Sequence, residues 1–321
     1  MLKRVVPIIL VAIVLSTALV SAAPKYPDRA ITVIVPWAAG GGTDRVGRFV
    51  ADKLSAELGV PIAVVNKTGG GGAVGHGAGA RAAANGYTIT NLTLEIANMH
   101  WLGLTDVTVE DFDPILQFNE DASAVMVKAD APWQTIHDLL DDIRENPGEL
   151  FFSGSGPGTI WDLARIGLLH SQNIPVDAVT WVPTTGAAPS IVELMGGHVH
   201  VITCSLAEAA SQVESGDLRV LAVMSDQRLP EFPDIPTLKE QGIDWSAGTW
   251  RGFGVPKGTP KEIIETLETA LAKVAASEEF KEFMAQTGFG IYVRSSEEFR
   301  EYMREQNDTW REVLRVGGYI D

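Results

Sequence analysis

The stretch ITVIVPWAAGGGTDRVGRF, Ile31 to Phe49, passes from an apolar run through a cluster of small residues into a helical pattern. IAVVNKTGGGGAVGHGAGA, Ile62 to Ala80, repeats the arrangement at once. A buried strand that ends in a bare glycine turn and feeds a helix is the repeating unit of an α/β sheet covered on both faces. Two such units in succession set the fold class before composition is considered.

The remaining chain keeps the alternation. Strands are expected at Ile31–Val35, Ile62–Val65 and Tyr87–Leu92, with helices at Thr43–Gly59 and Ala73–Ala84 between them. Val46, Phe49, Val50, Leu54 and Leu58 share one face of the first helix, and Thr43 or Asp44 is placed at its N-cap. Pro114–Phe118 and Ala124–Lys128 read as two strands separated by the polar break Asn119-Glu120-Asp121. A second round follows: helix Thr135–Glu145, strand Leu150–Phe152, helix Gly158–His170, strand Ala178–Val182, helix Ala187–Met195 and strand Val199–Thr203. Helix Leu206–Glu214 and strand Arg219–Met224 continue it, and the C-terminal part reads as mostly helical, with Pro260–Ala275, Glu278–Gln286 and Ser296–Val316. Two rounds joined by a polar break predict two α/β domains with parallel sheets.

In an open α/β sheet, ligands collect beyond the C-terminal strand ends, where helices begin. A helix start offers unpaired N–H groups and a partial positive charge, and glycine admits close backbone approach. Four turns have that character: Pro36–Asp44, Asn66–Gly75, Ser153–Asp162 and Pro183–Ser190. Gly70-x-Gly72-x-x-Gly75 also matches a dinucleotide fingerprint, with Glu95 at ribose-contact spacing. That match sits on the second turn rather than the first, and Glu95 lies beyond its strand, so no nucleotide cofactor is expected.

Catalytic constellations are missing from the sequence. It contains no G-x-S-x-G elbow and no H-E-x-x-H helix. His198 and His200 alternate along a predicted strand and should not share a metal. Cys204, the single cysteine, reads as a small buried hydrophobe. Of the eight tryptophans, Trp37, Trp161 and Trp250 lie beside glycine turns or a domain junction. A cleft without acid–base machinery describes a binder.

The N-terminus places that binder outside the cytoplasm. Lys3 and Arg4 precede the uncharged run Val5–Val20 and the small residues before Pro24, the pattern of a secretory signal peptide over residues 1–23, cleaved near Ala22 or Ala23. No membrane insertion is expected after cleavage. The formal charge is −16, and removal of Lys3 and Arg4 takes it to −18. Such a surface repels nucleic acid and anionic lipid. An anion must then be held by local, oriented dipoles.

YPDRAITVIVPWAAGGGTDRVGRFVADKL, VVNKTGGGGAVG, GELFFSGSGPGTIWDLA, GAAPSIVELMGGHV, LRVLAVMSDQRLPEFPDIPTLKEQG and WRGFGVPKGTP resemble, in that order, the tripartite tricarboxylate transporter substrate-binding proteins, the Bug or TctC family. The resemblance covers essentially the whole chain after the leader. It implies a periplasmic-binding-protein fold of the second topological type, with two α/β domains, a ligand cleft between them, and delivery of small carboxylates to integral membrane subunits. It also implies that the turns at Pro36–Asp44 and Asn66–Gly75 grip a carboxylate through backbone N–H groups and water. Domain 1 is expected at 24–123 plus 248–321 and domain 2 at 124–247.

The expected ligand-binding set is Trp37, Ala39, Gly40, Gly41, Gly42 and Thr43 in the first turn and Gly71, Gly72, Ala73 and Val74 in the second. Ser153, Ser155, Thr159, Thr184 and Thr203 join from the second domain, with Trp250 at the return junction. Arg251 is the one candidate cation, with surface solvation as its alternative. His200 stands where the family usually has Asp, either as a ligand-choosing change or as a tolerated one near a strand start. The expected protein is a monomer without cofactor or metal, and an exported sensor or enzyme using the same cleft is the alternative.

Overall fold

The computed structural model describes residues 26–321, so the expected leader, residues 1–23, lies outside the described residues. In chain order the elements are β1 (Ile31–Val35), α1 (Gly42–Leu58), β2 (Ile62–Asn66), α2 (Ala73–Ala80), β3 (Thr88–Thr93), β4 (Phe112–Lys128), α3 (Ile136–Glu145), β5 (Phe151–Ser153), α4 (Ile160–Ser171) and β6 (Thr180–Trp181). They continue with α5 (Ala187–Met195), β7 (Val201–Ser205), α6 (Ala210–Glu214), β8 (Leu218–Val223), β9 (Gly248–Pro256), α7 (Lys261–Ala276), α8 (Glu278–Thr287), β10 (Ile291–Arg294) and α9 (Ser296–Val316).

The two expected strands at 114–128 are one. β4 runs unbroken through Asn119-Glu120-Asp121, because these polar side chains are bound rather than solvated. Asn119 donates to Gly290 O at 2.7 Å, and Asp121 accepts from Gly290 N at 2.8 Å and pairs with buried Arg251. Along β4 the partner changes. Residues through Ala122 pair with β9, whereas Ser123 onward pairs with β7 and β8. β4 is therefore the strand that passes from one half of the molecule to the other.

The sheets are mixed rather than purely parallel. β1 pairs parallel with β2 and β3, and β5 parallel with β6 and β7. β9 lies antiparallel between β3 and β4, and β4 is antiparallel to β7. A chain that crosses between halves on one strand and returns on another sets those two strands antiparallel. β9 carries little strand signal in GTWRGFGVP because its glycines serve packing. A Cβ on Gly252 would meet Leu116 O at 2.7 Å, and one on Gly254 would meet Leu92 Cδ1 at 2.5 Å.

Two apolar cores result. One joins Val33, Val46, Leu54, Ile89, Leu267 and Phe280. The other joins Val125, Leu139, Phe152, Leu163 and Ile202, and reaches Trp250 and Phe299. Helix α9 follows its apolar stripe across both halves. Ser296 Oγ donates to Pro114 O at 2.6 Å near its start, Trp310 packs edge-on to Trp245, and beyond its end Tyr319 hydrogen-bonds Asp162 at 2.5 Å.

Candidate functional site

A cavity of about 50 Å³ lies between the halves. From the β1–β3–β9 side it is lined by Trp37, Ala38, Gly41, Gly42, Thr43, Glu95, Thr249 and Arg251. From the other side come Ser155, Ile160, Trp161, the segment Thr185–Pro189, and Glu208. The starts of three helices, α1, α4 and α5, converge on it.

The first turn meets the cavity at only part of its length. Trp37 is half-buried and anchored by Nε1 to Thr93 Oγ1 at 3.1 Å, while Ala39 and Gly40 are exposed and outside the lining. Gly41 is the N-cap of α1, with φ −74° and ψ 169° and no side-chain cap. Thr43 and Asp44, expected at the cap, are instead the second and third helical residues. The Asp44 carboxylate reaches back past the N-cap to accept Gly40 N–H at 2.9 Å. It also accepts from Arg48 and Asn66. Burial opposes its ionisation, but the Arg48, Gly40 and Asn66 hydrogen bonds win and hold the carboxyl below its usual range.

The second glycine turn does not line the cavity. Gly71, Gly72, Ala73 and Val74 all lie outside it, and Val74 is 53% exposed. Gly72 N–H and Val74 N–H both donate to Gly69 O. A Cβ on Gly71 would meet Leu104 and Thr159 at 3.3 Å, and one on Gly75 would meet the Pro36 Cα at 2.5 Å. These glycines let α2 pack on the first turn, which explains the fingerprint spacing without a nucleotide. Glu95, the would-be ribose contact, turns into the cavity instead.

On the opposite side Ser155 lines the cavity and shares a short hydrogen bond with Thr159, whose hydroxyl also donates to Gly156 O at 2.7 Å. Ser153, Thr159, Thr184 and Thr203 are not in the lining. Each has a hydroxyl bound within its own half: Ser153 to Val182 O at 2.7 Å, Thr184 to Ser190 at 2.6 Å, and Thr203 to Trp161 O at 2.6 Å. Trp250 is likewise outside, packed edge-on against Phe299, because strand alternation sends Thr249 and Arg251 to the cavity face and Trp250 to the other.

Arg251 is neither solvated nor free. It is 2% exposed, donates Nε to Thr43 Oγ1 at 3.0 Å and Nη1 to Asn119, and pairs with Asp121. His200 accepts Phe151 N–H at 3.0 Å and stacks on that ring, away from the lining. His198 binds Glu193 at 2.9 Å, and Cys204 is fully buried.

Of two lining carboxylates, Glu208 carried no signal as a ligand group and Glu95 only that of a ribose contact. Glu208 accepts Gly42 N–H at 2.8 Å, and Glu95 accepts Ile160 N–H at 3.4 Å and the Thr93 hydroxyl at 2.6 Å. Each comes from one half and caps a helix of the other, Glu208 on α1 and Glu95 on α4. Burial raises both carboxyls above their ordinary range, against the opposing pull of Arg251 and of these hydrogen bonds. A Glu in a predicted amphipathic helix and a Glu just past a strand look like solvated residues, and only the apposition of the halves brings them together. The third helix start had a signal, since Gly186-Ala187-Ala188-Pro189 lies in the fourth turn singled out above. Its Ala187 and Ala188 N–H groups have no acceptor within their own helix.

A family model described as the tripartite tricarboxylate transporter family receptor matches residues 46–318. Among solved structures, a TctC solute binding protein from Polaromonas is 36% identical, with 91% of this chain and 99% of that one aligned at a TM-score of 0.71. The periplasmic binding protein BugD is 28% identical over 92% of this chain and 99% of its own, at 0.85. An R. palustris protein solved with adipate is 27% identical over the same shares, at 0.84. The mixed α/β fold is that of these solute-binding proteins, and among the described residues no helix is long and apolar enough to cross a membrane. The chain belongs to the tripartite tricarboxylate transporter receptor family, a family of solute receptors rather than enzymes.

Proposed function

We propose that this protein is an exported, monomeric receptor that captures a small carboxylate between two lobes and delivers it to integral membrane subunits of a tripartite transporter. The leader would be residues 1–23, and the lobes 24–123 with 248–321 and 124–247. The observation that carries the reading is the convergence of α1, α4 and α5 starts from both lobes on one cavity. Helix starts hold anions through oriented N–H groups, which suits a protein whose overall charge is strongly negative. The relative solved with adipate supports a carboxylate as the ligand class.

Closure follows from the same geometry. A ligand touched by both lobes is bound more tightly by the shut form, and it shifts the equilibrium by that difference alone. A charge-assisted hydrogen bond contributes ~1.5–3 kcal/mol, so several suffice for about micromolar binding after ordering costs.

Gly41→Val is the test. A Cβ at Gly41 meets only Ala38 O, at 3.6 Å, so the backbone tolerates it while the added methyls fill the cavity wall. The variant should lose about 1 kcal/mol of stability at the cap and at least ~100-fold in affinity. Calorimetry against a panel of organic acids reads the result, and unchanged affinity removes the first turn from the site.

A further inference from the structure

The cavity has an unexpected charge balance for a site built only for anions. Its lining holds two acidic side chains, Glu95 and Glu208, and one basic one, Arg251. Arg251 attracts both glutamates but is itself paired with Asp121, so acids still outnumber bases around the cavity. Its Nη2 stands 4.0 Å from Glu208 Oε1, at the limit of an ion pair. The α1 and α4 starts, which would otherwise attract a ligand carboxylate, already carry Glu208 on Gly42 N–H and Glu95 on Ile160 N–H. Burial raises both carboxyls, and the helix N-termini and Arg251 pull them back toward the ionised form. Two carboxylates of the chain itself therefore take the first N–H of two of the three helix starts.

The α5 start is different. Ala187 and Ala188 line the same cavity at first-turn positions, and among the described residues no carboxylate is bonded to them. The lining therefore offers a ligand two kinds of partner, the α5 helix start and the two glutamates. Trp37 and Trp161 add aromatic wall.

Resting on the carboxylate-receptor reading, we infer that the ligand is a short carboxylate bearing an N–H donor, in its simplest form an ammonium group, and that Glu95 and Glu208 select that group. The ligand carboxylate takes the α5 start, and the donor end lies against the two glutamates. Size limits it further. A cavity of about 50 Å³ admits roughly three or four water-sized groups, so even a three-carbon chain with its two end groups fills it and each added carbon requires further opening. A dicarboxylate of equal length places its second charge against both glutamates and is rejected by repulsion.

The experiment is calorimetry on the exported protein with length-matched probes: malonate, succinate and glutarate against β-alanine, 4-aminobutyrate and 5-aminopentanoate, with 1,4-diaminobutane as the carboxylate-free control. The best amino acid should bind at least ~10-fold tighter than its matching dicarboxylate. Glu208→Gln, and separately Glu95→Gln, should bring that ratio toward one or reverse it. Circular dichroism verifies the fold of each variant, and Glu95→Gln carries the test alone if Glu208→Gln does not fold. Dicarboxylates binding as tightly as amino acids to the unmodified protein overturn the inference and leave the carboxylate reading standing. Diaminobutane binding as tightly as the amino acids overturns the carboxylate reading too, as does silence of every probe at millimolar concentration.

Discussion

The two glycine turns of the first lobe look alike in sequence and do different work. In the first, Gly41 and Gly42 face the cavity, and the turn is held from outside by side chains. Asp44 grips Gly40 N–H, and Asn66 donates to both Trp37 O and Asp44. In the second, glycines are sites of contact. Gly75 lies against Pro36 and Lys67 O, and Gly72 against His76 and Trp37. One turn is kept open and the other is packed shut behind it. A glycine-rich helix start is thus not a ligand site until its N–H groups are known to face a shared hollow.

The largest expected effect breaks the second turn. A Cβ at Gly75 would sit 2.5 Å from Pro36 Cα and 2.7 Å from Lys67 O, both of them backbone atoms that cannot swing away. In an isolated helix Gly→Ala stabilises by about 1 kcal/mol. Here Gly75→Ala should destabilise by about 3 kcal/mol through overpacking, a reversal of sign that denaturant titration reads directly. Gly41→Val, with its loss of affinity and small loss of stability, is the counterpart at the first turn. Similar behaviour of the two variants would erase the distinction between the turns.

The next effect is a pH dependence. His76 lies beneath the second turn, fully buried, with Nδ1 on Gly72 O at 3.0 Å and Nε2 accepting Thr93 N–H at 3.3 Å. Burial lowers its pKa from 6.5 to about 4, against the Gly72 hydrogen bond. The unfolded chain therefore takes a proton near pH 6.5 that the folded chain refuses until about pH 4. Stability from this group is complete above pH 6.5 and falls as pH drops toward 4, by about 2 kcal/mol at pH 5. Glu95 and Glu208, with raised carboxyls, contribute in the opposite sense, since protonation relieves their burial. Denaturation at pH 7 and pH 5 should show the His76 drop in the parent and not in His76→Gln.

The legibility of the molecule divides along the same line between local and distant causes. Helix α9 was readable at Ser296–Val316 because an apolar stripe and a capping Ser295 are local. The four helix starts were readable because glycine clusters after strands are local too. β9 was not, since its glycines answer to Leu116, Phe299 and Leu92 from elsewhere in the chain. The unbroken β4 was not, since Asn119 and Asp121 are satisfied by Arg251 and Gly290, more than a hundred residues away. The cross-capping of α1 by Glu208 spans 166 positions, and no periodicity in either segment reports it.

The smallest effect tests how the first turn is kept open. Asp44 is 4% exposed and accepts three hydrogen bonds, from Gly40 N, Arg48 Nε and Asn66 Nδ2, at 2.8–2.9 Å. Asp44→Ala leaves the Gly40 amide without its acceptor and removes one of the two that Asn66 has, at a cost of about 1–2 kcal/mol. Asp44→Asn can still accept one amide but loses the Arg48 pair, which is half exposed and contributes about 0.5 kcal/mol. Because the Asp44 carboxyl is held below its usual range, its contribution is present above pH 3.8 and is lost as pH falls through the lowered value. The sharper readout is amide hydrogen exchange across residues 38–43. It should quicken in Asp44→Ala with no change at 69–75, because the second turn rests on backbone packing that Asp44 does not touch.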